Sequence, residues 1–139
     1  MCVNKDFVSS YIDAWNAHDA SSVAEHFADT GRYCDVPKDL TMVGNELESY
    51  FKDYLSNDDY VYELKGDILK NNDVIAFQYL AIPRASNTGS SEWSGAEFIR
   101  LEHGVAMQID DYYRLPSPAR ERAPATQRYA KSGLSQEAM

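Results

Sequence analysis

The chain has 139 residues, enough for one domain that buries roughly two-thirds of its unfolded surface. Its formal charge of −9 argues against a bare nucleic-acid binder, which needs a basic face. Two cysteines, Cys2 and Cys34, make neither a disulfide framework nor a zinc site, and no apolar run approaches the ~20 residues that cross a bilayer.

Residues 1–20 lack the basic start and apolar run of a secretory signal, so a reducing, cytoplasmic setting is expected. Charge is unevenly spread. Residues 1–114 carry nine Lys/Arg against twenty Asp/Glu, a net of −11, whereas residues 115–139 carry four against two, a net of +2.

In chain order, residues 4–18 are expected to be helical, because Val3, Phe7, Tyr11, Ala14, Trp15 and His18 recur at spacings of three and four. Asn4 is the candidate N-cap. Asp19 caps a second helix over about 20–28, with Val23, Ala24 and Phe27 inward and Gly31 as its stop. Arg32 to Pro37 reads as a short strand, and a loop leads to Gly44–Asn45. Asn45 caps a third helix over about 46–56. From residue 59 the apolar period changes from 3.6 to 2, with Tyr60, Tyr62 and Leu64 on one face. A turn at 71–73 precedes a strand over 74–82 that is apolar on both sides and therefore central. A polar loop over 83–91 then leads to strands over about 92–102 and 105–114.

The last two strands allow two registers. A two-residue turn at His103–Gly104 pairs Glu102 with Val105 and sets Val105, Met107 and Ile109 opposite the face of Trp93, Ile99 and Leu101. A three-residue loop pairs Leu101 with Val105, Ile99 with Met107 and Glu97 with Ile109, so one face is apolar on both strands. The second is preferred, with Gly104 at the position wanting φ > 0. It puts Glu97 and Asp111 on the apolar face as diagonal neighbours. Buried carboxyls are costly unless paired or protonated, and raised proton affinity is a functional-site signature. The alternative is a solvated Asp111 at a mouth and a Glu97 paired with Arg32 or a tyrosine.

Helices followed by a strand meander imply an α+β fold. The order of elements, the segment YIDAWNAHDASSVAEHFADTGRYCDVP and the pattern G-x-E-x-x-x-x-F from Gly44 to Phe51 resemble the NTF2-like superfamily, and within it the SnoaL-like polyketide cyclases and ketosteroid isomerases. The resemblance covers roughly residues 4–114. It implies an NTF2-like cone, a curved antiparallel β-sheet with three N-terminal helices on its concave face.

For function, it implies that Tyr11 matches the isomerases' oxyanion-hole tyrosine, Asp35 their base and Glu97 their oxyanion acid. Two departures stand out. Glu replaces Asp at the third position, and a displacement of ~1 Å can cost about 100-fold in rate. Val36 also intervenes between Asp35 and Pro37. On this reading Asp35 takes a proton next to a carbonyl while Tyr11 and a neutral Glu97 stabilise the enolate. Trp15, Phe27, Tyr50, Tyr54 and Phe77, with Trp93, Ile99, Met107 and Asp111, would line an apolar pocket for a polycyclic or terpenoid-like small molecule. Each residue also has a structural role open to it: Tyr11 as core, Asp35 as a backbone-binding strand end. Limonene-epoxide hydrolases share the fold but need an Arg between two acids, and Arg100 alternates away from Glu97.

His18, His26 and His103 fall in no metal-binding spacing, and no phosphate loop is present, so neither metal nor cofactor is expected. The sheet's second face is expected to be covered by a second copy, as a homodimer. We expect the domain to span 1–114 and residues 115–139 to form a Pro-containing linker or C-terminal arm. The ending RYAKSGLSQEAM resembles the lead-in to a helix-turn-helix domain in AraC-type regulators. That implies the alternative of a non-catalytic ligand-binding, sensor or dimerisation domain.

Overall fold

The computed structural model describes residues 3–114, with side chains from Phe7 onward. The expectations for residues 115–139 lie outside the described residues. The elements run α1 (Val3–Asn16), α2 (Ala20–Glu25), β1 (Phe27–Asp35), a 3₁₀ turn (Val36–Lys38), β2 (Leu40–Val43), α3 (Glu46–Ser56), β3 (Tyr60–Asn71), β4 (Val74–Pro83), β5 (Trp93–Glu102) and β6 (Val105–Tyr113).

The six strands form one curved, open sheet in the order β2-β1-β6-β5-β4-β3. The expected all-antiparallel sheet needs one correction: β1 and β6 pair in parallel, while the other four pairs are antiparallel. A parallel neighbour requires a long crossover, here everything from β2 to β5.

Period-2 burial sets the two faces. Ile75, Phe77, Tyr79 and Ala81 of β4 are buried and face the helices, as do Glu97 and Ile99 of β5. On α1, Phe7, Val8, Tyr11, Ala14 and Trp15 form the buried stripe. Trp15 is the hub between layers, with ring centroids 5.4 Å from Phe51 of α3 and 5.9 Å from Tyr62 of β3. Burying each such aromatic stabilises the fold by about 1.5–3 kcal/mol.

Asn16 fixes where α1 sits. Its side-chain amide donates to the Tyr62 carbonyl at 2.9 Å, and its oxygen accepts the Tyr62 N–H at 2.8 Å. The side chain thus occupies hydrogen-bonding groups that the edge strand β3 would leave open.

Several boundaries differ from expectation. Helix α1 spans Val3–Asn16, so Asn4, the expected N-cap, falls within its range. It stops at Asn16, and His18 is turned out at φ 57°. Helix α2 ends at Glu25, because Phe27 already begins β1 and Gly31 lies within that strand. A Cβ at Gly31 would come within 2.9 Å of the Ala106 and Ala28 carbonyl oxygens, so glycine permits the close approach of β1 and β6. The expected loop before Gly44 contains the 3₁₀ turn and β2. Asp19 caps α2 as expected, accepting the Ser22 N–H at 3.1 Å. Asn45 precedes α3 but makes no side-chain cap.

The preferred hairpin register is also corrected. The turn is the two-residue one, with Glu102 opposite Val105 and positive φ at both His103 and Gly104. One extra residue of β6 is then accommodated between Ala106 and Gln108, so Ile99 meets Ile109 and Glu97 meets Asp111. The bulge restores the shared apolar face that the simple two-residue register would lose.

Candidate active site

Glu97 and Asp111 therefore face each other directly across β5 and β6, on the helix side of the sheet. Both are buried. Asp111 accepts hydrogen bonds from the Tyr33 hydroxyl on β1 and the Tyr79 hydroxyl on β4, each at 2.8 Å. Tyr11 comes down from α1. Its hydroxyl, Glu97 Oε1 and the Trp15 indole nitrogen are buried and make no hydrogen bond of good geometry. Yet Tyr11 lies close enough to Glu97 and Trp15 for each to affect its proton affinity. Buried polar atoms that lack a well-formed hydrogen bond are costly, so this group of three residues is a candidate place for a water or a ligand to bind.

That space is a small chamber with about 30 Å³ for the centres of water-sized molecules. This is room for about two waters. Its walls are Tyr11, Ile12, Trp15, Tyr54, Tyr62, Phe77, Tyr79 and Trp93, with Glu97 and Asp111 completing the lining. Beyond Tyr54 and Trp93 lies a wider vestibule of about 520 Å³ by the same measure. A polycycle does not fit the chamber with the rings placed as they are; a head group of a few atoms does.

The carboxyls are electrostatically unequal. Burial, and then the charge of Asp111, raise Glu97 well above the usual carboxylate range. Burial also pushes Asp111 up, to about 6, against the stabilising hydrogen bonds from Tyr79 and Tyr33. Burial and the neighbouring Glu97 hold the Tyr11 hydroxyl firmly protonated. The chamber thus offers two carboxyls of raised proton affinity and one protonated phenol.

Asp35 is placed differently from its expected role. It is buried, but it lines neither the chamber nor the vestibule. Tyr113 donates to its two oxygens at 2.9 and 3.1 Å, Tyr50 donates at 3.2 Å, and Lys38 lies 3.9 Å away. Its lone pairs are largely engaged. It pairs with Asp111 in the β1–β6 register, and its charge adds to the raised proton affinity of Asp111.

Of the expected lining residues, Trp15, Tyr54, Phe77, Trp93 and Asp111 do surround the chamber. Phe27 and Ile99 belong to the core, Tyr50 is engaged with Asp35, and Met107 sits at the bulge. Asp111 is not solvated at a mouth, and Arg32 is exposed and does not pair with Glu97. Ile12, Tyr62 and Tyr79, which line the chamber, and Tyr33, which holds Asp111, were missed. The signal for Tyr33 and Tyr79 was present: each lies two residues from an inward residue on the same strand, Asp35 and Phe77.

Among the described residues no group of three or more His, Cys, Asp or Glu side chains is arranged to hold a metal ion. No helix among them is long and apolar enough to cross a membrane.

No protein-family model matches the sequence, and no curated protein does. Solved structures do resemble it. A SnoaL-like protein of unknown function from Burkholderia thailandensis aligns with TM-score 0.66 and 20% identity, covering 81% of this chain and 96% of its own. A hypothetical protein with a ketosteroid isomerase-like fold from Catenulispora acidiphila, solved in complex with trimethylamine, aligns with TM-score 0.71 and 20% identity over 86% and 95%. A proposed polyketide cyclase from Xanthomonas campestris gives 0.61 and 17% over 81% and 90%. Element order, sheet topology and these likenesses agree: the chain has the NTF2-like fold, shared with SnoaL-like and ketosteroid-isomerase-like proteins.

Proposed function

We propose that the chamber takes the carbonyl head of a small molecule and moves a proton beside it, as an isomerase or cyclase does. The observation that carries this reading is that a buried phenol, a buried carboxyl beside it and a second carboxyl of raised proton affinity line one small space. The expected base, Asp35, is held by tyrosines outside the chamber, so the base in this proposal is Asp111.

Asp111 takes the proton from the carbon next to the carbonyl. The C–H electron pair becomes the enolate double bond, and the carbonyl π electrons move onto oxygen. Tyr11 O–H and the protonated Glu97 donate to that oxygen. Returning the proton to the same carbon is exchange; returning it to a conjugated carbon is isomerisation; attack of the enolate on a second carbonyl is cyclisation. A base with pKa near the working pH suits the task. Asp35 acts as a positioning residue that keeps Asp111 basic.

The test is deuterium incorporation next to the carbonyl of aryl ketones and cyclic enones in D₂O, followed by NMR. Asp111→Asn is expected to slow exchange by about 10²–10⁴-fold. Tyr11→Phe should cost about 10²-fold, as for loss of one oxyanion donor. Exchange unchanged in Asp111→Asn but lost in Asp35→Asn would return the base role to Asp35. A second reading, ligand binding without turnover, is favoured by the small size of the chamber; it predicts binding with no exchange by any variant. We also propose that the protein acts as a homodimer through the outer sheet face, in a reducing cytoplasmic setting.

A further inference from the structure

The vestibule differs in character from the chamber. Asp53, Asp58 and Asp59 line it, against one cationic side chain, Lys38. The rings of Tyr60, Trp93 and Tyr113 supply its aromatic surface, with Trp93 5.7 Å from Tyr60 and 5.3 Å from Tyr113 between centroids. Aromatic faces beside carboxylates attract an organic cation through ring quadrupole and charge together. The protein already places one ammonium group this way. Lys38 Nζ lies 5.4 Å from the Tyr54 ring centroid and 3.9 Å from an Asp35 oxygen. The vestibule adjoins the chamber: Tyr54 and Trp93 are walls of both, and Tyr11 and Glu97 lie on the chamber side.

We propose that the ligand is bipolar: its carbonyl head enters the chamber while an organic ammonium group, about one ring's length away, rests in the vestibule among Asp53, Asp58 and Asp59. This rests on the proposed function for the head group and adds the class of the tail. Both compartments are thereby used. The small chamber needs to hold only the reacting atoms, and the bulk of the ligand stays where there is room. This proposal differs from the apolar polycycle expected from the sequence in giving the ligand a charged tail.

Three matched probes test it: acetophenone, the 4-acetyl-N,N,N-trimethylanilinium cation and the 4-acetylbenzoate anion. Each is titrated calorimetrically and then examined for deuterium exchange in the acetyl group. The cation is expected to bind about tenfold tighter than acetophenone, and the anion weaker than either. Added salt should narrow the gap. Asp58 is buried and bonded to Tyr62, so its replacement can disturb folding; Asp53→Asn/Asp59→Asn changes two exposed side chains instead. In that double variant the preference for the cation should shrink to about twofold. Equal affinity for the three probes, failure of the cation to bind, or a preference untouched by the double variant overturns the proposal. Exchange without charge preference defeats the tail and leaves the proton-transfer reading standing. Charge-selective binding without exchange does the reverse.

Discussion

Two facing carboxyls, Glu97 and Asp111, both have raised proton affinity, but their surroundings differ. Asp111 receives two tyrosine O–H donors that favour its charged form; Glu97 has only the nearby Tyr11 hydroxyl, whose effect is outweighed by burial and the charge of Asp111. The Tyr79 donor depends on a residue with no side chain. A Cβ at Gly95 would overlap the Tyr79 hydroxyl and ring carbon, so glycine there lets the phenol reach Asp111. Gly95→Ala should therefore cost about 1–3 kcal/mol by overpacking, measured by thermal or denaturant unfolding. It should also move Asp111 further above about 6, since a hydrogen bond that favours its charged form is lost. The acid limb of a pH–exchange profile then shifts upward. Gly95→Ala/Tyr79→Phe removes the contact with the hydroxyl but leaves those with the ring carbon and the Tyr112 carbonyl, so it should regain at most part of the stability and should not restore that limb. A Gly95→Ala protein with unchanged profile and stability would contradict this arrangement.

Among the elements, the β5–β6 hairpin shows what could be read from sequence and what could not. The alternation Glu97, Ile99 and Leu101 puts the acid on the apolar face, and Asp111 follows Ile109 by two. Both the expected three-residue loop and the observed turn plus bulge keep odd-numbered residues opposite odd-numbered ones around Glu97, so the shared face was legible. The exact partner was not, because the bulge answers to a distant strand. Ala106 donates its N–H to the His26 carbonyl at 2.8 Å and pairs with Phe27, and β1 shifts register there too. No local pattern in residues 93–113 encodes that contact. Helix α1 was easier, since Tyr11 and Trp15 lie on a stripe set by the 3.6-residue period. Asp35 is expected to be the base, but the hydrogen bonds that engage it were not visible in the sequence. The hydroxyls that engage it come from α3 and β6, 15 and 78 residues away in sequence.

At the scale of the whole molecule, helices cover one sheet face, and among the described residues nothing covers the other. Phe98 and Tyr112 stand on the open face, 48% and 46% exposed, edge to face with centroids 5.7 Å apart. Such a pair on a sheet flanked by Ala76, Leu80 and Ala96 suits an isologous contact with a second copy. Sedimentation or light scattering should give twice the chain mass. Phe98→Glu/Tyr112→Lys should shift the protein to monomer while leaving the chamber, on the other face, able to bind its ligand. A monomeric parent protein would remove the proposed dimer.

The central claim is that one chamber holds a neutral Glu97 beside an Asp111 that titrates near neutrality. Carbon-13 NMR titration of the side-chain carboxyl carbons, with Glu97→Gln and Asp111→Asn for assignment, measures this directly. Glu97 should remain protonated at pH values where surface glutamates are ionised, and Asp111 should titrate at about 6. In Glu97→Gln the signal from Asp111 should persist and that from Glu97 vanish. If both carboxyls instead titrate around pH 4, like exposed ones, the acid and base assigned to this chamber do not exist.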